Sequence, residues 1–179
     1  MSDRWFTSDT HFFHRGAMEF CPASRGHFAD VDQMNETMIS IWNSVVKPED
    51  TIYVIGDFSF GKLEETCDLT TRLQGKKHLI AGNHDRKMIR YAEFCVLWDS
   101  VSWYETLQTQ SELITMHHFP QYEWEKMHHG AIHLHGHVHG KKLPILGKII
   151  DVGVDTNVLH PYHYDEIHEI ARKLPIREH

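Results

Sequence analysis

Asp9 and His11 stand two residues apart, directly after the apolar run at residues 4–8, and four later clusters repeat that placement. Gly56-Asp57 follows the run at 51–55, and Gly82-Asn83-His84-Asp85 follows 77–81. His117-His118-Phe119-Pro120 follows 112–116, and Gly136-His137-Val138-His139-Gly140 follows 131–135. Each cluster alone is ordinary turn chemistry. Five at the carboxyl ends of strand-like runs are not, because strands ending side by side bring residues distant in sequence into one crevice. Glycines 56, 82 and 136 would permit a tight turn or close backbone approach just before the polar residue. Imidazoles and carboxylates with one amide and no thiolate suit a divalent ion such as Mn, Fe, Co, Ni or Zn. One ion needs three or four such donors, so the set is large enough for two.

The chain holds 17 histidines in 179 residues with no histidine tract at either end, so placement rather than number has to carry the argument. Cys21, Cys67 and Cys95 are odd in number, far apart and without a CxxC pair. That argues against a disulfide framework or a thiolate zinc site and for a reducing compartment. The 25 acidic residues outnumber the 18 basic ones, giving a formal charge of −7. Such a balance argues against stable coating of nucleic acid phosphates, while leaving a nucleotide or a nucleic acid end open as substrate. No apolar stretch approaches the ~20 residues needed to span a bilayer. The expectation is a cytoplasmic protein with no membrane partner. Nothing in the sequence fixes its oligomeric state.

The elements that must position these residues follow from periodicity. Strands are expected at 4–8, 51–56, 77–82, 101–107, 112–116, 131–136 and 148–154. A helix is expected over 30–46, with Met34, Met38, Ile41 and Val45 on its inner face and its end set by Lys47-Pro48. A second covers 62–75, and a third helical stretch begins at Asp85. Strand–helix alternation in the first half implies right-handed crossovers and parallel pairing, and the closer later strands suggest antiparallel pairs. Residues 18–29 read as an ordered loop, placed to cover the site. With no linker or repeat, residues 1–179 read as a single domain. Trp5, Trp42, Trp98 and Trp103 are assigned to the core. His133 and His135, earlier in their strand than His137 and His139, are assigned to packing or support.

D-x-H, GD, GNHD, a histidine motif and GHxH, in that order, resemble the calcineurin-like metallophosphoesterases over nearly the whole chain. The stretches at 34–59 and 151–167 are similar to the small single-domain phage and bacterial branch of that superfamily. The resemblance implies an α/β fold, a β-sandwich of mixed sheets flanked by helices (α/β/β/α), with two divalent ions, manganese foremost and Fe, Zn, Ni or Co as alternatives. It implies that Asp9, His11 and His139 hold the first ion and that Asp57 bridges both. Asn83, His137 and one of His117 and His118 would complete the second. Only one of two adjacent strand residues can face the ions, and the family's His-aromatic-Pro order matches His118-Phe119-Pro120, so His118 is taken.

His84 looks like the residue that protonates the leaving oxygen, after attack by a hydroxide lying between the ions. Asn83 and His14 would touch the substrate phosphate. Asp85 would support His84 from behind and cap the following helix. Arg15, Arg25, Lys141 and Lys142 are nearby cations read chiefly as surface. The family's protein phosphatases carry GDxVDRG, whereas this chain reads GDFSFG, with Phe60 and Gly61 in place of the aspartate and arginine. A phosphate ester, preferentially a diester, is the expected substrate. Two alternatives are a phosphomonoesterase acting on nucleotides and a non-catalytic interaction scaffold of the same fold.

Overall fold

In the computed structural model, which describes residues 2–178, the early runs become β1 (Arg4–Thr7), β2 (Thr51–Val54) and β3 (Lys76–Ile80). These pair in parallel, with β4 (Ser100–Ser102) parallel at the outer edge. A second sheet, ordered β5-β6-β7-β8, holds β5 (Glu105–Gln108), β6 (Leu113–Met116), β7 (Ile132–His135) and β8 (Ile149–Asp151). β9 (Tyr162–His163) returns to the first sheet antiparallel to β1, giving the order β4-β3-β2-β1-β9. The helices are α1 (Arg15–Phe20), α2 (Pro22–Arg25), α3 (Val31–Val45), α4 (Leu63–Arg72), α5 (Ala92–Cys95) and α6 (Tyr164–Arg172). The result is the expected α/β architecture of two mixed sheets flanked by helices.

Alternation along the strands explains the layering. Phe6, Ile55 and Ile80 face the second sheet and pack with Ile114, Met116, Ile132 and Leu134. Ile52, Val54 and Leu79 point the other way, against Met34, Met38 and Trp42 of α3 and Leu69 of α4. With both faces covered, the parallel strands read as near-continuous apolar runs. The α3 helix begins where the Asp30 side chain accepts from the Gln33 N–H and ends at Val45, with Val46 already extended, and Pro48 keeps Lys47 from continuing the helix.

Several expectations are corrected. The run at 101–107 is not one strand: β4 belongs to the first sheet and β5 to the second, with Trp103 and Tyr104 at the corner between them. Trp103 is 47% exposed beneath the Arg86 guanidinium, not in the core, whereas Trp42 and Trp98 are buried. Within the second sheet β5 and β6 pair antiparallel as expected, but β6, β7 and β8 are parallel, since residues 117–131 and 136–148 are long enough to carry the chain back across. Residues 18–29 are not a plain loop throughout: 18–20 and 22–25 are helical, in α1 and α2, and 26–29 are turn and loop. The stretch from Asp85 forms a tight turn at Met88–Arg90 and then α5, with no side-chain cap from Asp85. On α3, Ile39 and Trp42 take the buried positions expected for Ile41 and Val45, which are half-buried. Among the described residues no helix is long and apolar enough to cross a membrane.

Candidate metal centre

Parallel pairing sets the carboxyl ends of β1, β2 and β3 side by side, and those of β6 and β7 beside them. What turns the side chains into one crevice is an unusual backbone. Asp9, His11, Asp57, His137 and His139 have φ of +55°, +48°, +54°, +70° and +49°. Such angles are uncommon outside glycine and cost about 1–3 kcal/mol each, so they persist only where packing over-determines them. In both Asp9-Thr10-His11 and His137-Val138-His139 the outer residues are left-handed, so strand alternation ends and the two side chains of each pair need not follow it. His133 and His135 remain on β7, fully buried, below the turn.

Two groups of ligand-type atoms result. Asp9, His11 and His139 form one, and Asp57, His118 and His137 the other, each with its ligand-type atoms within 4.8 Å of one another. Asp9 Oδ1 lies 3.5 Å from His11 Nε2 and 3.8 Å from His139 Nε2. Asp57 Oδ2 is 3.3 Å from His118 Nε2 and 3.9 Å from His11 Nε2, so Asp57 faces both groups. Asn83 Oδ1 sits 3.1 Å from His118 Nε2. Of the His117-His118 pair, His118 is the buried one and its Nδ1 bonds the Ile55 carbonyl, while the His117 Nδ1 turns to the Phe119 carbonyl.

Asp9 Oδ1 and both ring nitrogens of His11 are buried yet make no hydrogen bond. Leaving a buried polar atom unpaired costs about 1–3 kcal/mol. Two of them, Asp9 Oδ1 and His11 Nε2, face each other at 3.5 Å, which fits a cation held between them. Burial alone would raise the Asp9 and Asp57 carboxyls, but the neighbouring histidines, His11 beside Asp9 and His118 beside Asp57, hold both below the usual carboxylate range. Burial opposes charge on His118 too, yet the Asp57 and Asp9 carboxylates hold it up at about 9.

Partners behind the site fix its loops. The Asp85 carboxylate accepts from the backbone N–H groups of Gly82, Asp57 and Phe58, so it positions the Asp57 turn rather than capping a helix. A Cβ on Gly82 would overlap the Asp57 carboxylate, and one on Gly136 would overlap Ser8 Oγ and Asp9 Oδ2. Asp155, which the sequence reading did not single out, accepts from His139 Nδ1 at 2.8 Å. It is also gripped by Arg25, whose Nε and terminal nitrogen both donate at 2.8 Å. Arg25 is fully buried and donates as well to the Asp9 and Thr10 carbonyls, so it is a structural clamp and not a surface cation. Burial would raise the Asp155 carboxyl, but His139 and Arg25 hold it well below the usual range. Cys21, His139 and Asp155 form a third ligand-type group. It does not fit a further cation, because the Arg25 guanidinium already neutralises Asp155 and burial pushes the Cys21 thiol up to about 11.

His84 stands at the open side. Its backbone N–H donates to Asp57 Oδ1, its Nε2 lies 3.9 Å from Asp57 Oδ2, and its side chain is 47% exposed. Phe60 packs at 4.6 Å from the His84 ring and stacks at 4.0 Å on His14, with interplanar angle 9°. His14 is 5.6 Å from the His11 ring, so the structure brings it to the rim of the first group. Burial, with the charges of His11 and His84 nearby, pushes its imidazole below the usual range.

The family model of the calcineurin-like phosphoesterases matches residues 4–141. The gene 66 protein of Mycobacterium phage L5 is 29% identical over 189 residues, covering 87% of this chain and 88% of the relative. A Methanocaldococcus jannaschii protein described as uncharacterised is 33% identical over 123 residues, covering 64% and 68%. Among solved structures, a protein of unknown function from Aquifex aeolicus superposes with TM-score 0.75 at 25% identity, covering 95% of this chain and 100% of that one.

Proposed function

The chain belongs to the calcineurin-like phosphoesterase family, and from that premise we propose that it is a metal-dependent phosphodiesterase working at a two-ion centre. In this reading Asp9, His11 and His139 hold one divalent ion, Asn83, His118 and His137 hold the other, and Asp57 is shared. The observation that carries it is the set of buried, unpaired atoms on Asp9 and His11, facing a second group across Asp57. The donors suit a divalent ion such as Mn, Fe, Co, Ni or Zn, and we place Mn first on the family resemblance. Two such ions, when bound, neutralise a phosphate and make water a competent nucleophile near neutral pH.

The chain's own residues supply the rest. Asp57, lashed by its backbone to Asp85, keeps the two groups at a fixed separation. Asn83 and His14 flank the space where the phosphate lies and orient it. His84, half-exposed beside Asp57, holds a proton for the leaving oxygen and is the proposed general acid. Diester is favoured over monoester by charge: a monoester dianion calls for extra cations, but Arg25 is committed to Asp155 and Phe60 fills the place next to His84.

The metal-loaded protein should hydrolyse an aryl phosphodiester faster than the matching monoester. His84→Ala should lower kcat by about 10²–10⁴-fold with metal content unchanged. Metal-replete protein inert towards both ester classes would overturn the reading, and a monoester rate above the diester rate would shift it to a phosphomonoesterase.

A further inference from the structure

A cavity of about 670 Å³ opens beside His139 and Asp155, between the α1–α2 pair, α3 and the turn at 158–160. Its size is that of a small-molecule site. The rings of Phe20, His27 and Phe28 and the aliphatic groups of Ile41, Val158 and Leu159 line it. Two of these stand at its mouth in water, Phe20 77% and Val158 80% exposed, an unfavourable placement unless something covers them. Val158 and Leu159 are successive residues at φ +50° and +66°. A β-branched residue at such an angle is a genuine outlier, and this strain aims Leu159 inward at the cavity wall.

The cavity shares His139 with the first ligand-type group, and on the side of Phe20 the stacked pair His14 and Phe60 stands between it and the His84 ring. The leaving oxygen has to sit beside its proton donor, so a group on the far side of that stack is the one that stays on phosphorus. Resting on the phosphoesterase reading above, we propose that this cavity binds the retained ester group of a phosphodiester, and that this group is an uncharged aromatic or heteroaromatic ring. Ring faces and branched aliphatics suit a flat apolar body. The polar side chains of Thr37, His27 and His160 interrupt the lining, in a way an acyl chain would not use. A monoester, with no retained group, leaves the cavity unfilled.

Phenyl 4-nitrophenyl phosphate and methyl 4-nitrophenyl phosphate share one leaving group and differ only in the retained one. The zinc-loaded full chain should favour the phenyl ester in kcat/KM by about tenfold or more, mostly through KM, because burying a ring is binding that ground and transition states share. Ile41→Trp, which fills the cavity, and Phe20→Ala, at an exposed position, should both bring the kcat/KM of the phenyl ester down to that of the methyl ester. Independently of turnover, diphenyl phosphate titrated into the zinc-loaded protein should shift the NMR methyl signals of Ile41 and Leu159, and dimethyl phosphate should not. Equal rates for the two esters, a preference that survives both substitutions, or methyl signals that do not move would overturn the cavity assignment. Shifts at Ile41 and Leu159 without hydrolysis of any ester would leave that assignment standing and overturn the phosphoesterase reading instead.

Discussion

At the scale of single residues, the ligand-type side chains were legible because their types and their position after apolar runs are both written in the sequence. Asp155 and Arg25 were not, since the two lie 130 residues apart and only the fold makes them a pair. Their arrangement nevertheless matters to His139. An imidazole that offers Nε2 to an ion is oriented by what its Nδ1 bonds, and such carboxylate partners contribute about 10–100-fold in metal affinity. Asp155→Asn keeps the size and removes the charge that holds both His139 and Arg25. On the proposed two-ion reading it should therefore weaken one ion by about that factor and leave the other unchanged, as read by competition with a chromophoric chelator. It should also destabilise the fold by about 3–5 kcal/mol, because Arg25 is left buried without its counter-charge. Equal weakening of both ions would contradict the pairing of His139 with Asp155 as a positioning device.

At the scale of elements, the site depends on loops from separate strands approaching more closely than side chains normally permit. Asp85 ties the ends of β2 and β3 by accepting three backbone N–H groups, and Asp85→Ala would leave all three buried and unpaired. A loss of about 3 kcal/mol or more and a Tm lower by several degrees should follow in calorimetry. Gly136→Ala acts differently: its new Cβ needs the space of Ser8 Oγ and Asp9 Oδ2, so the turns after β1 and β7 must part. The far-ultraviolet dichroism should stay native while one equivalent of bound metal is lost. Strands β1, β2 and β3 and helix α3 were legible from period and caps. The parallel course of β6, β7 and β8 was not, because the connections between them carry too little regular structure to announce a crossover. Nor were the left-handed turns: Asp and His are enriched at such angles, but both are commoner elsewhere, and only the packing forces Asp9 and His139 into them.

At the scale of the whole molecule, the histidines outside the metal centre bear on stability. His133 lies fully buried on β7, stacked at 5.4 Å on Trp124. Its Nε2 accepts from the Gln121 N–H, and its Nδ1 pairs with the Thr115 hydroxyl. A second proton would have to displace the Gln121 bond, and burial together with His135 nearby pushes the imidazole down to about 3. In the unfolded chain the same ring titrates near the ordinary value of about 6.5. Between those two values the unfolded state binds one more proton, so stability rises with pH through this window. It is complete above the unfolded value and falls by about 1.4 kcal/mol per pH unit as the solution is acidified below it. Urea unfolding with a chelator present, to keep ion release out of the slope, should show the protein weakening from pH 7 to pH 5. His133→Leu starts from lower stability, since the Gln121 N–H and the Thr115 hydroxyl lose their partner, yet removes this one titration. Its loss over the same interval should be smaller by about 2 kcal/mol. Parallel pH profiles for the two proteins would show that the buried ring is protonated in the fold and that the acid sensitivity lies elsewhere.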